Sequence, residues 1–283
     1  MSWFVLALIA IGTTSITTLI ARVLMREEES NPIASAIVFQ FMLCVFVAIF
    51  TFSLGKFAWP PPDVSILRFL LSAFLWTGST FFSFQAIKLL GAGETTIIIS
   101  ASAVISIILG VLFLNEVLTL TIIFGFIFIL GAVLIVNSEK LSFNSKRGVT
   151  FSLLVALFSG IAVVNDAYIL KSYEAFSFTT IMSFLPGVIL ALAFPKEIVK
   201  IKKILKSREI RWMIVLTFFY AIQAVSYYLA YQGGAPISTL ATLTKASIVV
   251  TVILAAIFLK ERSNLPKKAV AAAMVTIGAI LLS

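Results

Sequence analysis

The sequence predicts an all-α membrane protein with ten transmembrane helices, arranged as two inverted five-helix repeats. Three observations carry this expectation. Hydrophobic residues fill 61% of the 283 positions and charged residues 12%, against about 45–50% and about 25% in soluble domains. The apolar residues fall in runs of about 20, the length a helix needs to cross a bilayer. The second half of the chain also repeats features of the first. A mean hydropathy of +1.13 agrees with all three.

The runs are read in chain order. Trp3–Met25 follows Met1-Ser2 without a basic segment and continues past the length of a signal h-region without a small-residue cleavage site, so it is expected to be a span. Ile33–Leu54, Ile66–Leu89, Thr95–Leu114 and Leu118–Val136 complete a first set. Val149–Leu170, Phe178–Phe194, Trp212–Tyr231, Ile237–Leu259 and Pro266–Leu282 form a second. The longest polar connections are Gly55–Ser65, Asn137–Gly148 and Pro195–Arg211, too short for a soluble domain. Pro186-Gly187 is expected to kink the seventh span. The two repeats are assigned to residues 1–140 and 141–283.

The internal repeat is clearest when Thr95–Glu116 is set against Leu240–Glu261. Eight of the 22 positions are identical, among them Ala101/Ala246, Ser102/Ser247, Phe113/Phe258, Leu114/Leu259 and Glu116/Glu261. Ser100 is the counterpart of Lys245. Gly12 matches Gly160, and Gly131-Ala132 matches Gly278-Ala279. Five is odd, so the second copy enters the membrane from the opposite side. Inverted repeats of this kind build many secondary transporters, with the site near the midplane between them.

Charge sets the expected orientation. Seventeen of the 21 Lys and Arg fall on one side, three on the other (Lys56, Arg68, Lys171), and Lys245 lies within a span. Positive loops stay cytoplasmic, so both termini are expected outside the cytoplasmic membrane. The net charge of +9 therefore reports topology rather than nucleic-acid binding. The basic stretch Lys196–Arg211 is read the same way, with some attraction to anionic lipid. One cysteine excludes an intrachain disulfide, and the absence of histidine removes the commonest metal ligand and any Ser-His-Asp set. No nucleotide-binding loop is present. The chain is not read as an enzyme, and no cofactor or metal is expected.

Ten spans, a five-plus-five repeat and a Phe-Leu-x-Glu ending at both Phe113–Glu116 and Phe258–Glu261 resemble the drug/metabolite transporter superfamily in its EamA-like branch. Gly91–Glu116 and Ala235–Arg262 carry the most specific likeness, and Glu261-Arg262 matches the pair that often closes the ninth span in that family. The resemblance implies a carrier with a central cavity, working on a small-molecule substrate within the lipid bilayer. It names no substrate.

Lys245 is the first candidate for substrate binding. It stands alone in the apolar run Pro236–Leu259, and a charge at bilayer depth costs about 2.5–3.5 kcal/mol on insertion scales. Thr242, Ala241 and Ser238 precede it at helical spacing and form a small, partly polar face. An ammonium there could bind a carboxylate or phosphate, or it could pair structurally. Asp166, beside Asn165, is the other interior charge, read as a counter-ion to Lys245, a proton carrier, or an interfacial carboxylate paired with Lys171 or a nearby hydroxyl. Tyr220, Gln223, Tyr227 and Tyr231 line one helical face of the eighth span, with Tyr228 and Tyr231 also suited to an interfacial belt. Trp76 is weighed as packing or cavity wall, and Glu94 as a helix cap. The leading expectation is a monomeric secondary carrier of a solute bearing an anionic group. The alternatives are a proton-coupled drug or cation exporter centred on Asp166, and a membrane scaffold that transports nothing.

Overall fold

The computed structural model describes residues 2–25, 30–60, 65–90, 95, 98–117, 119–137, 146–207, 209–247, 250, 270, 273–274, 277–278 and 281. The described residues are helical with short connections, and no strand occurs among them. We number the helices α1 (Trp3–Met25), α2 (Pro32–Ser53), α3 (Ile66–Leu90), α4 (Ser102–Leu114), α5 (Leu120–Asn137), α6 (Lys146–Leu170), α7 (Ala175–Ala193), α8 (Pro195–Lys206), α9 (Glu209–Gln232) and α10 (Ile237–Leu243). A 3₁₀ turn, Thr244–Ala246, continues α10. Helices α1, α2, α3, α6, α7 and α9 are long and apolar enough to cross a membrane. The protein is therefore a multi-pass membrane protein.

Most expected spans reappear with ends shifted by a few residues. The fourth is shorter than expected as a continuous helix, because Ser100 and Ala101 form a turn before α4. Most of the ninth span after Ser247 and most of the tenth lie outside the described residues, as do Glu94 and Glu261-Arg262. Pro186 sits inside α7, which continues through it. One element was not anticipated: within the basic connection Pro195–Arg211 the chain folds into the amphipathic helix α8.

Local chemistry accounts for several ends. Asn31 starts α2: its Oδ1 accepts from the Ile33 and Ala34 amides, and Pro32 follows at the first helical position. Glu174 caps α7 by accepting from the Ser177 amide at 3.0 Å. Helix α4 stops at Asn115, which takes a left-handed conformation with φ 58°.

Helix packing follows a matched pattern. Exchanging the halves sends α1 to α6, α2 to α7, α3 to α9 and α4 to α10. The contact of α3 with α6 then becomes that of α9 with α1, and α3 with α7 becomes α9 with α2; all four pairs pack. The pairs α2–α7 and α4–α10 map onto themselves, and both are in contact. Hydrogen bonds tie the corresponding segments as well, with the donor and acceptor sides reversed. Ser106 Oγ on α4 donates to the Gly160 carbonyl on α6 at 3.3 Å, and Ser15 Oγ on α1 donates to the Ser247 carbonyl at 2.9 Å. The largest apolar cluster joins α2 to α8 and α9 through Ile37, Leu43, Val47, Ile204, Met213 and Leu216. Met274, from the tenth expected span, lies against Gly131 of α5.

Candidate functional site

Arg68, Ser72 and Trp76 recur every fourth residue on α3, so their side chains share one face. That face meets α6 at Asn165 and Asp166. Asp166 is fully buried. Ser72 Oγ donates to its Oδ1, Trp76 Nε1 donates to Oδ2 at 2.8 Å, and the Tyr228 hydroxyl on α9 donates to Oδ2 at 2.6 Å. Three hydrogen bonds from three neutral side chains take the place of a counter-ion. Asn165 Nδ2 donates to Ser72 Oγ at 2.8 Å and to the Arg68 carbonyl at 2.8 Å, and its Oδ1 accepts from the Arg68 guanidinium at 3.3 Å. Arg68 also lies over the Tyr168 ring at 4.1 Å, and Lys171 over the same ring at 4.8 Å.

Of the everyday partners expected for Asp166, the nearby hydroxyls are found, on Ser72 and Tyr228, and Lys171 is not. Lys171 stacks on Tyr168 instead. Trp76 and Tyr228, weighed as packing and as interfacial belt, both spend their polar atoms on the carboxylate. No described contact joins Asp166 to Lys245.

Lys245 stands on the 3₁₀ turn, where the helix tightens. Its Nζ donates to Ser102 Oγ on α4 at 2.9 Å. Among the described residues it makes no ion pair. Ser102 lies two residues beyond Ser100, the repeat counterpart of Lys245. Ser102 approaches α6 closely because position 160 is glycine: a Cβ added there would meet the Ser102 carbonyl at 3.0 Å and Ile105 Cβ at 2.8 Å. The hydroxyl of Thr242 bonds back to the Ser238 carbonyl at 2.8 Å, within its own helix. Gln223 Oε1 accepts from Thr17 Oγ1 at 3.3 Å, which links α9 to α1. The Tyr227 hydroxyl is buried and has no hydrogen-bond partner among the described residues.

A third cluster closes one end of the bundle. Glu116 folds back beneath α4 and accepts from the amides of Ile237 at 2.5 Å and Ser238 at 3.1 Å, the first residues of α10. Its carboxylate fits because position 110 is glycine; a Cβ there would lie 2.6 Å from Oε2. The helix gains an acceptor for amides that have no intrahelical partner. A cavity of about 500 Å³ lies beside this cap, lined by Glu116, Leu170, Lys171, Tyr231, Gln232 and Pro236. Sequence reasoning used Glu116 only as part of a resemblance and missed its capping role. It also missed Arg68, Ser72 and Tyr228, although the fourfold spacing of Arg68, Ser72 and Trp76 was there to be read.

The profile of the EamA-like transporter family matches the chain twice, over residues 1–138 and 146–283. The chain belongs to the EamA-like transporter family. Its members are membrane transporters of the drug/metabolite type, not enzymes. A solved structure described only as "Crystal structure of protein" superposes with a TM-score of 0.75 at 14% identity, covering 99% of this chain and 95% of that one. At that identity the likeness speaks for the fold alone. No curated protein matches the chain.

Proposed function

We propose that this family member is a secondary carrier of a small organic solute with an anionic group, an amino acid or other metabolite. In this reading Lys245 binds the anion. One observation carries it: among the described residues the ammonium has a neutral hydroxyl, Ser102, as its partner and no carboxylate. A charge held at bilayer depth at such cost is retained where a ligand completes it. Ser100, Thr242, Gln223 and Tyr227 supply the neutral surroundings. Asp166, with Asn165 and Trp76, forms the polar wall that ties α3 to α6 and α9. A proton-coupled exporter is the second reading, and it rests on Asp166 being fully buried among neutral donors.

Residues 1–140 and 141–283 act as two inverted repeats that rock about the site. The matched packing of α3 on α6 and α1 on α9 supports this. The carrier works as a monomer in a prokaryotic cytoplasmic membrane, with both termini outside, as the charge asymmetry requires. A reporter fused after Ser283 checks orientation: a cytoplasmic signal overturns it.

Proteoliposomes test transport. Amino acids, nucleotides and sugar phosphates are screened first by thermal shift, and the stabilising compound is then offered as labelled substrate. Uptake by the native chain that Lys245→Met reduces at least tenfold supports the reading. Normal uptake by Lys245→Met removes the lysine from recognition, and no uptake of any compound returns the scaffold alternative.

A further inference from the structure

The structure assigns helix α8 as a docking surface for anionic phospholipid headgroups, a role distinct from solute recognition. Its location is dictated by its neighbours. Helix α7 ends at Ala193, α8 begins at Pro195, and α9 begins at Glu209. Both flanking helices are long enough to span the membrane, so α8 lies at the membrane face. The matching connection in the first half shows that the fold does not require such a helix. Gly55–Pro60 joins α2 towards α3 without helix and carries one lysine.

The side chains of α8 divide by direction. Ile201 and Ile204 turn into the apolar cluster with α2 and α9. Glu197 is engaged by Asn31 Nδ2 at 2.7 Å and by Lys200 at 2.9 Å. Along another side Ile198, Lys202 and Leu205 follow one another at spacings of four and three, and Lys206 lies four residues after Lys202. Ile198 and Leu205 are about half exposed, at 46% and 50%. Lys196, Lys200, Lys202, Lys203, Lys206 and Arg211 are all exposed. Exposed apolar side chains between lysines, on a helix at the membrane face, match an acyl boundary beneath a layer of negative headgroups. The one acid of the helix is already neutralised, so its outward charge is positive. A phospholipid satisfies both parts at once, which neither a soluble anion nor an apolar surface does.

The test uses the full chain in nanodiscs of phosphatidylcholine containing phosphatidylglycerol. Lipid retained through stepwise detergent washing is counted by mass spectrometry. The native chain is expected to retain phosphatidylglycerol in excess of its bulk fraction. The K202Q/K206Q variant should lose at least tenfold of that preference, since each basic residue near the surface contributes roughly fivefold. A second variant, I198S/L205S, keeps the charge and should weaken retention through lost insertion. For depth, a nitroxide on Leu205→Cys in a Cys44→Ser background should be more accessible to oxygen than to a water-soluble nickel chelate. No preference in the native chain, unchanged preference in K202Q/K206Q, unchanged retention in I198S/L205S, or a water-exposed nitroxide each overturns the proposal.

Discussion

Asp166 and Lys245 are two charges held inside the bundle, and their surroundings differ sharply. Asp166 is buried among three neutral donors from α3 and α9. Lys245 has one hydroxyl, on α4. Burial costs both groups; among the described residues the carboxylate has three donors and the ammonium one acceptor. A fully hydrogen-bonded carboxylate stitches helices together, because removing it strands several donors at once. A charge with one weak partner contributes little to packing and has coordination left to offer. The contrast teaches that an intramembrane charge becomes a candidate for ligand binding through what its neighbours leave undone.

The largest expected effect is on the stitched side. Asp166→Ala leaves Ser72, Trp76 and Tyr228 without their acceptor, and an unsatisfied buried polar group costs about 1–3 kcal/mol. The variant should lose a large fraction of its folded yield, with a lower thermal midpoint in detergent. Asp166→Asn, which keeps one acceptor oxygen, should fall between. An Asp166→Asn protein with native stability and no transport would invert the comparison and make the carboxylate the working group.

On the other side, Lys245→Met should unfold within about 1 kcal/mol of native, because Ser102 can turn its hydroxyl to a backbone carbonyl. Transport should fall roughly tenfold to a hundredfold, the equivalent of one hydrogen bond to a charged group. Lys245→Arg should retain uptake with altered affinity, since a planar fork needs different geometry from an ammonium. A marked loss of thermal stability in Lys245→Met would erase the distinction drawn here.

Glu116 offers an intermediate case, a charge spent on a helix end. Glu116→Gln retains one acceptor for the amides of Ile237 and Ser238, whereas Glu116→Ala retains none. Stability should fall in the order native, Gln, Ala, by about 1–2 kcal/mol at each step. Equal thermal midpoints would show that the cap is dispensable.

A glycine pair sharpens the comparison of the halves, and its second member carries the smallest effect. Gly160→Ala forces a Cβ against Ile105 and the Ser102 carbonyl, displacing the partner of Lys245. Gly12, its counterpart, has nothing within 4 Å of an added Cβ. Gly160→Ala should cost about 1–3 kcal/mol by overpacking. Gly12→Ala should be neutral or stabilise by up to about 1 kcal/mol, as alanine favours the helix. Two equal responses would mean that both halves approach their neighbours alike.

Much of this architecture was legible before any coordinates. Apolar runs of span length located helices α1, α2, α3, α6, α7 and α9 to within a few residues, because the bilayer imposes one length and one backbone solution on every crossing. The Phe-Leu-x-Glu endings and the matched Gly12 and Gly160 carried the family and its duplication. Helix α8 was not legible in the same way. Its length is that of a connection, and its lysines already had an explanation in topology. The site was half legible. Lys245 and Asp166 announced themselves as charges in apolar runs. Their different fates did not, because hydrophobic composition says that a charge needs a partner without saying which residue provides it.

By itself, then, the sequence determined a multi-pass helical membrane protein of this transporter family, since hydropathy is summed along the chain. Only the tertiary structure decided that Ser72, Trp76 and Tyr228 converge on Asp166 while, among the described residues, Ser102 meets Lys245. Those contacts join residues 62 to 143 positions apart. They depend on the rotation of each helix and on how closely α4 approaches α6 at Gly160, quantities set by packing between helices and written in no single segment.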